Sequence, residues 1–265
     1  MLYVGTSGWQ YKHWRRVFYP NKLPEREWLA YFAERFQTVE VNNTFYNLPQ
    51  GSVFEHWMER TPQDFVFALK MSRYMTHLKR LHEPAEPVRR FMERARGLGA
   101  KLGPILIQLP PNYHVDTASL DRALAAFDRS VRIAVEFRHD SWFTAETKQV
   151  LESRGAALCL ADSPARKQPY WRTAGWGFIR FHEGKGSTAP GYAPEVLRSW
   201  VRRITDAWEP RDDVFVYFNN DTGGHAIEDA VTFADLAERA GLNTTRVPRS
   251  DRGARLARPA AVSAE

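Results

Sequence analysis

Eight short apolar runs, each ending in polar or charged residues, alternate with stretches of helical period along this chain. The runs are LYVGTS (2–7), TVEVNN (38–43), FVFALK (65–70), PILIQL (104–109), RIAVEFR (132–138), AALCLAD (156–162), GFIRFH (177–182) and VFVYFNND (214–221). Brief apolar runs bounded by turn signals read as strands buried on both faces. Strand–helix alternation calls for a parallel sheet with right-handed crossovers. Eight such units in 265 residues fit the roughly 250 residues of a (β/α)8 barrel. The expected fold is therefore α/β, a single TIM-like (β/α)8 barrel. An open doubly wound sheet is the alternative, but eight sequential units do not suggest its strand order.

The helical patterns fall between the runs. Glu25–Phe36 places Trp28, Leu29, Phe32 and Phe36 on one face. Ser52 and Glu55 have the spacing of a capping box. Pro84–Leu98 follows, and Asp116 stands where it would cap TASLDRALAAF. Phe143–Ser153 closes at Gly155, Ala193–Trp208 stops before Pro210, and Ala226–Ala240 stops at Gly241, a residue suited to the position after a helix. Only about 14 residues, with Pro164, Pro169 and Gly175, separate runs six and seven. A crossover helix is expected to be irregular or missing there.

The barrel is expected to occupy residues 1–242, and residues 243–265 to form an Arg/Ala-rich disordered tail. That tail holds Arg246, Arg249, Arg252, Arg255 and Arg258 against Asp251 and Glu265, half of the net charge of +6. The remaining excess is too small to argue for nucleic acid by itself. Cys159 is the only cysteine, so an intrachain disulfide is excluded and the thiol reads as a small buried hydrophobe. The chain starts directly on a strand, with no leader-like segment and no 18-residue apolar span. A cytoplasmic protein without membrane partners is expected.

In a parallel barrel, functional groups gather at the C-terminal ends of the strands. Side chains alternate faces along a strand, so parity sorts the candidates. Thr38, Glu40 and Asn42 share a face, as do Ala68 and Lys70, Ala134, Glu136 and Arg138, Leu158, Leu160 and Asp162, and Phe178, Arg180 and His182. The polar parity is expected to point into the mouth, because charges facing a helix layer are costly to bury.

Several stretches, taken in order, resemble one family. They are GTSGWQYKHW (5–14) with VFYP (17–20), TVEVNNTFYNLP (38–49), TPQDFVFALK (61–70) with Thr76 and His77, LGPILIQLPP (102–111), VEFRHDSW (135–142) and YFNNDTGGHAIEDA (217–230). Together they resemble the YecE-like family, domain of unknown function 72, over roughly residues 2–240. The resemblance implies a TIM-type barrel and leaves the reaction open. Its motifs carry over Ser7, Gly8, Trp9, Glu40, Asn42, Phe45, Tyr46, Lys70, Gln108, Pro110, Glu136, Arg138, Arg180, His182, Asn219, Asn220 and Asp221. The family's usual Arg-Leu-His-Gly stretch reads RFHEG here, with Glu183 before Gly184.

Three chemistries suit such a mouth. In the first, Lys70, Arg138 and Arg180 hold a small anionic, phosphorylated or carboxylated ligand. Ser7, Trp9, Asn42, Tyr46, Gln108, Asn219, Asn220 and Asp221 complete the binding set, and Gly223 and Gly224 open a helix N-terminus to phosphate. In the second, Glu40, Glu136 and His182 move protons as catalytic groups. Hydrolase, lyase and isomerase reactions are all open, as is binding without reaction. In the third, Glu40, Glu136, Asp162 and His182 hold Mg²⁺ or Mn²⁺, against which the interleaved cations compete. No cofactor is otherwise expected. GTSGW lacks the second glycine of G-x-S-x-G, and neither G-x-G-x-x-G nor Walker A occurs. Trp9, Trp14, Phe45, Tyr46 and Trp142 either wall the pocket or pack beneath its loops. Walling would suit the rival partner, a nucleic acid.

Overall fold

The eight strands of the computed structural model close in sequence order, β1-β2-β3-β4-β5-β6-β7-β8, with every neighbouring pair parallel, β8 against β1 included. They are β1 (Leu2–Ser7), β2 (Thr38–Val41), β3 (Val66–Lys70), β4 (Leu102–Gln108), β5 (Ile133–Glu136), β6 (Ala157–Asp162), β7 (Gly177–Phe181) and β8 (Val214–Phe218). The structure describes residues 1–163, 167–185 and 190–249. The doubly wound alternative is thereby excluded.

Around the barrel run α1 (Trp28–Ala33), α2 (Asn43–Tyr46), α3 (Gly51–Glu59), α4 (Ala85–Ala95), α5 (Thr117–Ala125), α6 (Ala145–Arg154), α7 (Pro194–Ala207) and α8 (His225–Arg239). Asp116 caps α5 by accepting from the Ser119 N–H at 2.9 Å. Gly155 ends α6 in the left-handed region, φ 63°, which glycine enters without a Cβ clash. The capping box at Ser52 and Glu55 does not form. α3 starts two residues earlier, behind Gln50, with no side-chain cap. Among the described residues no helix joins β6 to β7, as the prolines and short spacing led us to expect.

Two apolar bodies hold the fold. The larger lies between sheet and helices, where Trp14, Trp28, Phe32, Phe36 and Trp142 are buried. The smaller fills the barrel, with Ala68, Leu106, Ala134, Ala157, Cys159, Phe178, Phe215 and Tyr217. Phe178, Phe215 and Tyr217 need space, and Ala68, Ala134, Ala157 and Cys159 supply it. Alternating large and small residues across a lumen is how such interiors reach native density.

That lumen corrects the parity of run six. Ala157 and Cys159 point inward, while Leu158 and Leu160 join the outer core. Asp162 shares the outward parity and accepts a hydrogen bond from the Trp200 indole on α7. The charge is tolerated outside because this donor meets it.

The described start of the expected tail also differs. Residues 243–246 lie across the N-terminal face of the barrel. The Leu2 N–H donates to the Asn243 carbonyl and the Thr245 N–H to the Leu2 carbonyl, both at 2.8 Å. The Gln37 N–H donates to the Arg246 carbonyl at 3.0 Å. Arg246 reaches Asp64 at 3.0 Å. Residues 250–265 lie outside the described residues. No helix among those described is long and apolar enough to cross a membrane.

Candidate functional site at the C-terminal mouth

Above the apolar lumen lies a charged layer made by the last inward residues of the strands. Its centre is Arg180 on β7, 1% exposed. One guanidinium nitrogen donates to Glu40 on β2 at 2.8 Å, the other to Glu136 on β5 at 2.5 Å. Both glutamates are fully buried. Ser7, paired with Glu40 across β1 and β2, donates its hydroxyl to the same carboxylate at 2.8 Å. Gln108, paired with Glu136 across β4 and β5, donates to that carboxylate at 2.9 Å. Arg138 adds its Nε at 3.0 Å.

These contacts fix the protonation of Glu136. Burial alone would raise its carboxyl, but Arg180, His182 and Arg138 outweigh burial and hold it well below the usual carboxylate range. Glu136 is thus an anchored anion. His182 stands beside it, with Nε2 3.6 Å from a Glu136 oxygen and Nδ1 3.2 Å from the Asn219 amide. Glu40 is less saturated, for its Oε2 is buried without a hydrogen-bond partner.

Lys70 ends β3 at the edge of this layer. Its ammonium sits 4.3 Å from the centroid of the Phe45 ring, and among the described residues it makes no ion pair with a carboxylate. Burial lowers its pKa, the Arg180 and Arg138 charges lower it further, and Glu40 and Glu136 only partly restore it, leaving about 8. His77 packs edge-on to Phe45 at 4.9 Å. Burial and the charges of Lys70, Arg138 and Arg73 push it down to about 4, so the imidazole is neutral at physiological pH.

Ser7, Glu40, Lys70, Gln108, Glu136, Arg138, Arg180, His182 and Asn219 therefore converge. Asn42 follows β2 at the rim, its side-chain oxygen buried without a partner. The other expected members lie elsewhere. Asn220 faces α8 and donates to Asp229 at 2.6 Å and to the Pro190 carbonyl at 3.0 Å. Asp221 accepts from the Trp14 indole at 2.6 Å and lies 2.8 Å from His13 Nε2. Burial raises its pKa to about 6 despite these partners. A carboxylate in that position works against phosphate at the adjacent glycines. Trp9 is buried edge-on to Trp57 at 5.3 Å. Trp14 and Trp142 are likewise buried beneath the loops, so these three indoles pack the scaffold. Tyr46 is 79% exposed and borders an outer groove of about 270 Å³ with Phe45, Arg73, Tyr74, Arg90 and Arg94.

Sequence reasoning missed Cys159 as a lumen residue beside Arg180 and His77 as a wall of the Lys70 recess. The small residues Ala157 and Ala161 flanking Cys159 were the available signal for the first. His77 lies in a π-helical turn, Tyr74–Leu78, a local form frequent at functional sites with no reliable mark in sequence. The third chemistry's metal set loses Asp162 to the helix layer, and Arg180 stands between its two glutamates. Among the described residues, no group of three or more His, Cys, Asp or Glu side chains is placed to hold a metal ion.

A closed parallel barrel with a buried Glu–Arg–Glu bridge across its C-terminal mouth defines this molecule as a TIM-barrel protein with a mixed-charge site. The chain belongs to the family described as protein of unknown function DUF72, whose sequence profile matches residues 3–252. It is 23% identical over 271 aligned residues to the UPF0759 protein YunF of Bacillus subtilis, covering 90% of this chain and 95% of that one. It is 28% identical to the UPF0759 protein YecE of Escherichia coli over 62% of this chain and 60% of that one. The crystal structure of a DUF72 family protein from Thermotoga maritima superposes with a TM-score of 0.78 at 28% identity, covering 90% of this chain and 99% of that chain.

Proposed function

We propose that the mouth binds a small anionic ligand bearing a carboxylate or phosphate, and acts on it by proton transfer. The observation that carries this reading is the charge balance of the layer. Lys70, Arg138 and Arg180 face only Glu40 and Glu136, and Lys70 has no carboxylate partner among the described residues. Buried charges with an excess of positive sign strengthen each contact to an anion that reaches them. Arg180 is occupied by both glutamates, so Lys70 and Arg138 are the groups left to meet the ligand.

The contacts of each group divide the remaining labour. A general base works best with a pKa near the operating pH. Glu136, held far below that, positions Arg138, Arg180 and His182. Glu40, with an unpartnered oxygen, and His182, held between Asn219 and Glu136, are the proton-moving groups in this reading. Hydrolase, lyase and isomerase reactions all use such parts.

The test is thermal stabilisation by inorganic phosphate against sodium chloride of equal ionic strength. Phosphate should raise the midpoint in a saturable way, and Lys70→Ala and Arg138→Ala should abolish the rise. Equal effects of the two salts on the wild-type chain would remove the main support.

A second reading, nucleic-acid binding, draws on the outer groove, where Tyr46 and Tyr74 stand among Arg73, Arg90 and Arg94. Exposed aromatics among arginines suit stacked bases and phosphates. Binding of a short single-stranded oligonucleotide that weakens steeply with salt would favour it. Failure to bind at low salt would end it.

A further inference from the structure

Lys70 offers more than a charge. Its backbone is fixed by pairing with Leu106 of β4 and by the Thr44 hydroxyl, which donates to the Lys70 carbonyl at 2.7 Å. Its side chain is 8% exposed and rests against the Phe45 face. The nearby guanidinium groups of Arg138 and Arg180 repel its protonated form. Arg138 spends one donor on Glu136 and leaves its others without a hydrogen-bond partner among the described residues. A stem held in place, an amine without an ion pair and a neighbouring guanidinium with spare donors make a site for an anionic carbonyl compound.

We propose that Lys70 is a covalent catalytic residue whose amine condenses with the carbonyl carbon of a small oxo compound carrying a carboxylate or phosphate, the anionic group resting on Arg138. This deepens the anion reading and rests on it. The neutral amine adds its lone pair to the carbonyl carbon, and the C=O π pair moves to oxygen, which takes a proton. The nitrogen gives up one proton as the carbinolamine forms and its second as the C=N bond forms, and the two leave with that oxygen as one water. Condensation releases one water and requires no oxidant or further reactant. Glu40 and His182 stand close enough to the layer to relay the protons.

The neutral amine is the reactive form. With burial and the arginine charges leaving Lys70 at about 8, about a tenth of it is neutral at pH 7, roughly 300-fold more than for a lysine at its ordinary value.

The experiment treats the full chain with pyruvate, and separately with glyceraldehyde 3-phosphate, in the presence of borohydride. Reduction turns an imine into a stable amine that peptide mass mapping locates. The expected result is one adduct per chain, on Lys70, with a labelling rate half-maximal near pH 8. Inorganic phosphate should slow it. Lys70→Arg should lose the adduct and keep stabilisation by phosphate. Labelling spread over exposed lysines such as Lys12 and Lys22, equal in wild type and Lys70→Arg, overturns the proposal. So does absence of an adduct on a wild-type chain that phosphate still stabilises, and that outcome leaves the anion reading intact. If phosphate neither stabilises nor protects the wild-type chain, the anion reading fails and this proposal with it.

Discussion

Replacing Lys70 by methionine should make this protein more stable at neutral pH and remove the lysine's contribution to its alkaline pH dependence. Methionine keeps an unbranched stem against Phe45, and its thioether packs well on an aromatic ring. What it removes is a positive charge held in a buried recess among arginines. In the folded chain that charge is lost at about 8, against 10.5 for an ordinary lysine. A lysine whose pKa is depressed on folding binds more protons when unfolded. The wild-type chain therefore carries a penalty at pH values below about 8 that fades as pH rises towards 10.5. Each unit corresponds to 1.36 kcal/mol, so the penalty at pH 7 is about 3 kcal/mol. At this chain length that is worth roughly 6–12 °C in midpoint. Urea unfolding of wild type and Lys70→Met at pH 7 and near pH 10 measures it directly. The variant should be more stable at pH 7, with the gap nearly closed at pH 10. A variant less stable at pH 7, or a gap that does not change with pH, would refute the claim that Lys70 is a buried charge compensated only in part. A protein that keeps so costly a residue gains something from it other than stability.

Arg180→Met should destabilise by about 3–5 kcal/mol, because removing one partner of a buried ion cluster strands the others; chemical denaturation reads the loss. Glu136→Gln should flatten the acid limb of the stability profile. The depressed Glu136 carboxyl contributes stability that is complete above the ordinary glutamate range and is lost as pH falls through its lower folded value, so midpoints measured between pH 3 and 6 should diverge from wild type. Asp229→Ala should cost about 1–3 kcal/mol by stripping the acceptor from the Tyr192 N–H and the Asn220 amide, visible as a lower thermal midpoint. A chain ended at Leu242 should lose about 4 kcal/mol, since the Leu2, Val4, Gln37 and Thr245 bonds each contribute about 1 kcal/mol.

Much of the barrel was readable from periodicity because each strand is short, apolar and punctuated. Inward pointing at the mouth was also readable for β2, β3, β5 and β7, where a charged residue alternates with small or apolar ones. β6 misled because Asp162 was assumed to require the lumen. The Trp200 indole that lets it face outward comes from a helix nearly 40 residues later. Asn220 misled likewise, since it sits in a run of three polar residues at a strand end and parity cannot say which of them turns towards α8. Phe45 stood among the expected wall aromatics, but its pairing with His77 was not legible, because it depends on how α2 and the π-helical turn pack beside one lysine. Recognising the family supplied the barrel and the residue set, but left the reaction open.

The strap at residues 243–246 changes how this chain must be made. Thr245 accepts from the N–H of Val4 across 241 residues of sequence, and β1 also has β8 as a neighbour. During synthesis the first strand emerges with β2 as its only sheet neighbour and waits for the last one. Its other edge stays an open template through most of translation, the condition under which strands pair with the wrong chain. β8, whose end leads into Asn219 of the mouth, is the strand that closes that seam. The mouth is thus completed only when β7 and β8 arrive with Arg180 and Asn219, so a nascent chain cannot present the finished site early.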